Sequence, residues 1–455
     1  METQTLGPSM PLYALAPTVL AVIVALLLLA RRLPTPATRF LVLSVGMRPL
    51  LGSMHQITFS SSPVGLSWNA LASVMVFLVG LITLRRRSLS WLIWIPLVPM
   101  LLVSGLSGLL NGQVAGFASV LIKFGYMAVL ATATVEAIED IGFDQTMKSL
   151  IPPLLTPLLF QLVGLPLGVV KAGEDDGSAS YIGGFNHEAG FSVQLLGTML
   201  VICLARNMSF RLRITLLGWC SLGILLANYR TAVLAVLPLL GCTLLVESMR
   251  QFTRSQRALM GGVLVVLIGG AGLSLATTQE ERFGDLSVVV QKGSDIIKPP
   301  EQFSIEDRHV MSGRSLIWSN YVYSWVDGSS IQHAIGYGPE AWIGRFKVYA
   351  HNTLVSALYE LGVVGVACYL LLWIWFFLLA LRAPVEQRVR LLAAHLSFFL
   401  VNMATMPMWL IEGMIYYGVL CGATVALAKR PRLNYFDPDK AGALIARRQL
   451  QSSAG

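Results

Sequence analysis

The sequence is short of charge. Asp, Glu, Lys and Arg together make up only 13% of its 455 residues, whereas hydrophobic residues make up 55%. The mean hydropathy is +0.68. Because about a quarter of the residues in a soluble globular protein are charged, the composition excludes a soluble globule. It predicts instead a polytopic membrane protein.

Motifs of nucleotide, metal and thiol chemistry are lacking as well. No Walker loop or GxGxxG motif follows a predicted strand, and the pair His187 and Glu188 lacks the second histidine of a zinc-binding HExxH helix. The five cysteines all lie in apolar stretches without a CxxC spacing, so we interpret them as small buried hydrophobic residues. The sequence therefore predicts no cofactor and no metal.

Apolar runs long enough to cross a bilayer recur along the chain. About twenty helical residues cover the hydrocarbon core, and on this basis we predict thirteen spans, with twelve or fourteen as alternatives. They lie at residues 11–30, 40–57, 67–84, 91–110, 114–137, 147–170, 190–206, 212–228, 231–248, 257–276, 353–381, 389–405 and 409–428. The predicted fold class is all-α, and no internal repeat of a transporter is visible.

The predicted organisation is one membrane domain interrupted by one long polar loop. Residues 1–276 hold about ten spans, residues 277–350 form the loop, residues 351–428 form the C-terminal membrane helices, and residues 429–455 are a basic tail. Trp318, Tyr321, Tyr323 and Trp325 are too many aromatic residues for a disordered linker. We therefore expect the loop to be a folded cap with short helices.

Basic residues collect in every second loop, and the net charge is +9. These residues are Arg31, Arg32, Arg39, Arg85, Arg86, Arg87, Lys148, Arg206, Arg211, Arg213, Arg250, Arg254, Arg257, Arg382, Arg388 and Arg390. By the positive-inside rule these loops and the C-terminal tail are cytoplasmic, and an odd number of spans puts the N-terminus outside. The charge is thus explained by a membrane, and no nucleic acid is expected as a partner.

The polar segments on the other, non-cytoplasmic face carry the candidate site residues. Arg230 lies at the outer end of a span, where an arginine either extends to the lipid headgroups or pairs with an anion. Arg314 begins a helix-like stretch in the long loop and is either a surface residue or a ligand. Together, two arginines can clamp a phosphate or pyrophosphate, because each guanidinium offers paired donors.

Two histidines lie in the same predicted region. His351 directly precedes an apolar helix, and Asn352 and Thr353 are good N-cap residues. His351 is either a capping residue or a general base that takes a proton from a sugar hydroxyl; whether Glu340 or Glu360 orients it stays open. His187 lies in a glycine-rich loop that allows close approach of a ligand.

The sequence resembles a known family. The ordered segments GGFNHEAG, NYRTAVLA, GRSLIW, GYGPEAW and AHNTLVSALYELGVVG, over about residues 180–380, are similar to the bacterial O-antigen ligase and Wzy-type polysaccharide polymerase superfamily. The resemblance implies a GT-C-like, metal-independent, inverting glycosyltransferase of the inner membrane whose active site faces the periplasm. Its donor would be a glycan on undecaprenyl pyrophosphate, and its acceptor a lipid-linked repeat unit or lipid A core. Membrane lipids and a chain-length regulator are the further partners implied.

The family's site residues can be carried over by motif. Arg230 and Arg314 would bind the pyrophosphate, and His351, followed by Asn352, would activate the acceptor hydroxyl. His187 would be a substrate contact, although the family often has His-Pro-Asn where this chain has His187-Glu188-Ala189. Asn352 is a further substrate contact that we expect, and so is Glu340, which is not carried over from the family.

Three functions follow from these observations. A polysaccharide polymerase is expected first, because GYGPEAW with YAHNTLVSALYE is similar to exopolysaccharide polymerases. An O-antigen ligase is the alternative. A flippase or other transporter of lipid-linked oligosaccharides is the third, and it should carry its polar residues at the bilayer midplane in broken helices.

Overall fold

Helices make up most of the protein in the computed structural model. It describes residues 7–172, 179–251, a few positions between 253 and 270, and residues 293–429 except 306, 310 and 312. The α-helices of this part are α1 Leu12–Arg32, α2 Pro36–Ser53, α3 His55–Thr58, α4 Trp68–Thr83, α5 Trp91–Leu110, α6 Val114–Ile141, α7 Phe143–Leu154, α8 Thr156–Gly164, α9 Glu188–Leu204, α10 Phe210–Leu226, α11 Arg230–Gln251, α12 Arg314–Val326, α13 Ser330–Ile335, α14 Thr353–Ala380, α15 Val385–Asn402 and α16 Ile411–Lys429. The strands described are β1 Lys171–Ala172 and β2 Ala179–Ser180, which pair antiparallel.

Seven of the described helical segments are long and apolar enough to cross a membrane: α1, α5, α6, α7 with α8, α11, α14 and α16. The predicted all-α polytopic membrane protein is confirmed. The other predicted spans coincide with α2, α4, α9, α10 and α15. The span predicted at 257–276 lies mostly outside the described residues, as do loop residues 277–292, Arg254, Arg257 and the tail beyond residue 429.

The pair formed by α6 and α16 lies at the centre of the bundle. The span in α16 is 94% buried within the protein, and glycines bring the two backbones together. A Cβ at Gly418 would lie 2.9 Å from the carbonyl oxygen of Met127, and one at Gly422 would lie 2.4 Å from that of Ala131. Small residues at such contacts allow the close packing that holds membrane helices together.

The basic residues of the loops predicted to be cytoplasmic form ion pairs at one end of the bundle. Arg85 binds Glu136 and Asp140, whereas Arg206 binds Glu386. Further links at this end are the Lys148–Asp144 pair, the bonds from the backbone N–H groups of Arg206 and Asn207 to Asp144, and a buried triad of Arg213, Glu247 and Arg390. The basic residues of separate loops therefore share one face of the fold.

The opposite end carries the chain start and the cap. His55 bonds to the carbonyl oxygens of Gly7 and Gly184 through its two ring nitrogens, each at 2.8 Å. The described part of the cap contains α12 and α13, and the aromatic core between it and α14 includes Tyr321 and Tyr359, each 1% exposed. The described part of the cap is therefore folded and holds short helices.

The buried triad gives a prediction about stability. Glu247→Gln removes the carboxylate that lies between Arg213 and Arg390, whose side chains are 0% and 1% exposed. We expect a loss of about 3–5 kcal/mol in the free energy of unfolding, because buried charge is left uncompensated. Unfolding in detergent micelles measures it.

Glu386→Gln is the matched control, since its partner Arg206 is 48% exposed and an exposed pair contributes at most about 1 kcal/mol. Equal losses in both variants would contradict the assignment.

Candidate functional site

His351 lies at the start of α14, where its neighbour Asn352 caps the helix. The Asn352 side-chain oxygen accepts hydrogen bonds from the backbone N–H of Leu354 at 2.9 Å and of Val355 at 3.2 Å. Its amide nitrogen donates to the carbonyl of Met403 at 2.9 Å. These bonds satisfy donors that a helix start leaves unpaired, so the first turn of α14 begins at a fixed point directly after His351.

The backbone before His351 is tied to α12. The indole N–H of Trp318 donates to the carbonyl of Ala350 at 2.8 Å, and the hydroxyl of Tyr321 donates to that of Val348 at 3.0 Å. Since Arg314 is the first residue of α12, these bonds fix the guanidinium-bearing helix and the imidazole to one another.

A break in α14 is sealed by the loop that follows α13. Gly362, at φ +64°, interrupts the helix, and Gly336 lies against the break at φ +73°. A Cβ at Gly336 would lie 2.2 Å from the backbone of Glu360. The N–H groups of Tyr337 and Gly338 donate to carbonyls at the break, at 3.0 and 2.9 Å. The loop thus supplies backbone partners that a broken membrane helix needs.

Backbone strain is concentrated in the segments around the candidate residues. Among the described residues, the non-glycine positions with positive φ are Asn228, Met311, Glu340 and His351. Asn228 lies two residues before Arg230, and Met311 lies three before Arg314. Such conformations cost on the order of 1–3 kcal/mol each and cluster at functional sites, which favours a functional role for these loops.

The surroundings of His351 keep its ring uncharged. Burial, the positive charge of Arg314 and the nearby His187, in that order of size, together lower the pKa of His351 from 6.5 to about 3. The imidazole is therefore neutral across physiological pH and is able to accept a proton.

The structure brings several of the predicted site residues together. Arg314 and His187 both act electrostatically on His351. The charge of Arg314 also acts on Tyr229, which directly precedes Arg230 at the start of α11. His351, Arg314, His187 and the start of α11 thus meet at one end of the helices.

His187 caps α9 beside an ion pair. Its Nδ1 accepts from the N–H of Ala189 at 3.0 Å. The carboxylate of Glu188 lies 3.6 Å from that nitrogen and 3.1 Å from the ammonium group of Lys171 on β1. The described residues contain no group of three or more His, Cys, Asp or Glu side chains that could hold a metal.

Glu340 faces α6. Its carboxylate accepts from the hydroxyl of Ser119 at 2.7 Å and from Lys123 at 3.0 Å. Its backbone N–H donates to the carboxylate of Glu360 at 2.8 Å, and Ser356 donates to the same carboxylate at 2.6 Å. The described contacts of both carboxylates tie the cap to the membrane helices, and none of these contacts is with His351.

The hydroxyl groups of Tyr229, Tyr349 and Thr405 lie at the site and are not predicted from the sequence. The ring centroid of Tyr349 lies 4.0 Å from that of His351. The hydroxyls of Tyr349 and Tyr229 both approach Thr405, a fully buried residue whose hydroxyl makes no hydrogen bond of normal geometry to a described residue. Burial raises the pKa of both phenols, so they remain O–H donors. Adjacency to Arg230 and His351 is the signal that could have identified the two tyrosines.

A buried ion pair lies beneath His187. Arg48 donates to one carboxylate oxygen of Glu412 through two nitrogens, each at 2.8 Å, and also bonds to Asn69. A Cβ at Gly190, in the first turn of α9, would lie 3.5 Å from that oxygen. Arg48 and Glu412 therefore join α2 and α16 beside the start of α9, which explains two charges inside predicted spans.

Fold and site together define a class, namely a multi-pass helical membrane protein with a basic, histidine-bearing site beneath a folded cap. Residues 215–370, which include Arg230, Arg314 and His351, match the family model described as O-antigen ligase. This match confirms the resemblance to that family for the motifs that lie within residues 215–370. Members of the family are glycosyltransferase-like enzymes. No curated protein matches the chain.

The low pKa of His351 can be measured directly. In nitrogen-15 NMR spectra, we expect one of the six imidazoles, identified by its loss in His351→Gln, to stay neutral down to about pH 5, since an ordinary histidine titrates near 6.5. Arg314→Gln should raise this pKa, because a positive neighbour is removed.

Arg308→Gln, an exposed arginine of the same cap, is the control and should leave the His351 titration unchanged. Titration of His351 near pH 6.5 in the unaltered protein would contradict the electrostatic description.

Proposed function

We propose that the chain is a glycosyltransferase of the bacterial inner membrane that works at the periplasmic face. The observation that carries this proposal is the neutral imidazole of His351 next to Arg314 at a helix mouth. This site lies at the end of the bundle opposite the ion-paired basic loops. With those loops cytoplasmic by the positive-inside rule, the site faces the periplasm.

The proposed donor is a glycan linked to undecaprenyl pyrophosphate. Arg314 and Arg230 bind the pyrophosphate, because guanidinium groups match phosphate oxygens with paired donors. The phenols of Tyr229 and Tyr349 lie within the influence of Arg314 and add neutral donors. Stabilising the charge that develops on the leaving group is the main catalytic task in such a transfer.

The proposed general base is His351. Its neutral ring takes the proton of an acceptor hydroxyl, whose oxygen attacks the anomeric carbon while the bond to the phosphate oxygen breaks. The lipid leaves as its pyrophosphate, and the configuration at that carbon inverts. Burial is the main cause of the low pKa of His351, and the charge of Arg314 is the next. An anionic donor next to Arg314 offsets that charge, so the base becomes stronger once the donor is bound. The arginines supply the positive charge, and the proposed transfer is metal-independent.

The remaining site residues receive roles that agree with their contacts. Asn352 caps α14 and is proposed mainly to position His351, with a substrate contact as its second role. His187 is proposed to contact the substrate from the start of α9. Glu340 is proposed to contact the substrate at the junction that it forms with Lys123.

The acceptor separates two forms of this function. We propose a polymerase, which adds the chain to a lipid-linked repeat unit. This proposal is supported by the similarity of GYGPEAW and YAHNTLVSALYE to exopolysaccharide polymerases. Its further partners are membrane lipids and a chain-length regulator. A ligase that uses lipid A core is the second candidate, which the description of the matching family favours. Transport is less well supported, because the break in α14 is filled by the cap's own loop instead of lining a midplane cavity.

Two substitutions test the catalytic assignment. We expect His351→Ala and Arg314→Ala each to lower glycan transfer by at least about a hundredfold, the usual effect of losing a general base or a charge-stabilising donor. Product formation is followed on gels for membranes that contain equal amounts of each variant.

His333→Ala and Arg308→Ala remove the same residue types from other parts of the cap and should retain activity. Wild-type product levels in both His351→Ala and Arg314→Ala would refute the assignment.

A further inference from the structure

Three aromatic rings form a continuous line that ends at the proposed base. The ring centroids of Tyr349 and His351 are 4.0 Å apart, with planes inclined by 35°. The Trp342 ring approaches Tyr349 edge-on at 6.2 Å and 64°. All three residues are half-buried, so each keeps part of its surface exposed.

Tyr321 and Tyr359 are the buried rings of the aromatic core between the cap and α14. Tyr321 stacks on Phe346 at 4.1 Å and meets Tyr359 at 5.4 Å, and Tyr337 stacks on Tyr359 at 4.8 Å. Trp342 and Tyr349 also pack against this core. They differ from the other rings in that the contacts between them continue to His351.

The segment that carries the two outer rings is rigidly placed. The N–H of Phe346 donates to the carbonyl of Trp342 at 3.0 Å, and Phe346 is clamped by Tyr321. At the other end, Tyr321 also bonds to the carbonyl of Val348, next to Tyr349. Rigid aromatic side chains offer contact area at a low cost in conformational entropy, which suits a preformed binding surface.

The chemistry of these rings fits a sugar. A pyranose has C–H groups on its faces and hydroxyls on its edges, and the negative face of an aromatic ring attracts polarised C–H groups. A pyranose stacked beside His351 would present an edge hydroxyl to the imidazole. A proposed base needs its acceptor hydroxyl within hydrogen-bond reach, and such stacking would supply that alignment.

We propose that Trp342 and Tyr349 form a platform that binds a pyranose ring of the acceptor glycan and places its hydroxyl at His351. This inference rests on the proposed function and assigns its acceptor subsite. Because the phenol of Tyr349 is also proposed to contact the donor, the expected consequence concerns Trp342, which should govern the acceptor KM and leave the affinity for the donor unchanged.

The test is a set of initial rates for the purified protein in lipid, with the acceptor concentration varied at a fixed donor concentration. For Trp342→Leu we expect the acceptor KM to rise about tenfold, since an aromatic contact of about 1.4 kcal/mol corresponds to a factor of ten. Trp342→Phe keeps a smaller ring and should raise it about threefold. Binding of a fluorescent donor lipid should stay within about a factor of two.

Trp325→Leu is the matched control, because Trp325 is likewise a half-buried tryptophan of the cap, and its ring lies against a different histidine, His333, at 5.0 Å. It should leave the acceptor KM unchanged. If Trp342→Leu does not fold, as judged by its melting temperature, Trp342→Phe carries the test. An unchanged acceptor KM in a folded Trp342 variant, while the wild type transfers glycan, would overturn the platform alone. A wild type that consumes no donor would overturn the proposed function together with this inference.

Discussion

The architecture depends on how the N-terminal half of α14 is held. Within a membrane protein an unsatisfied backbone group costs several kcal/mol, and α14 leaves such groups at its start and at the break at Gly362. Asn352 satisfies the first turn, and the loop after α13 bonds to the break. The same bonds fix the cap to the membrane helices and set the position of His351, so the stability of the fold and the geometry of the site rest on one set of contacts.

Charge is distributed unequally between the two ends of the molecule. At one end arginines are matched by carboxylates, some of them in deep burial. At the other end burial is the main cause of the low pKa of His351, and the charges of Arg314 and His187 lower it in the same direction, so the local potential there is positive. A site of this kind disfavours a further cation and favours an anionic ligand. The proposed pyrophosphate donor is such an anion. Its binding next to Arg314 would raise the pKa of His351, so donor binding would make the base stronger.

The sequence predicts the helices well, because hydropathy is a local property. The motifs predict His351 and Arg314 as residues of the site. In the structure, the hydrogen bonds from α12 bring the two segments that carry these residues together. The partners that determine the geometry are not predicted: Lys123 lies 217 positions from Glu340, and Arg48 lies 364 positions from Glu412. No local pattern pairs such residues. Thr405, in the loop before α16, has no recognisable motif, and it acquires interest only from the two tyrosines that the fold places beside it.

Glycosyl transfer at this site requires that the lipid-linked donor is consumed, and one incubation measures this. Purified protein in lipid is incubated with undecaprenyl-pyrophosphate-linked repeat units, with a chelator in place of added metal, and with or without lipid A core. We expect the donor to be consumed, as a ladder of products from the donor alone for a polymerase, or as transfer only when core is present for a ligase. Donor that remains intact under both conditions would show that this protein does not transfer the glycan.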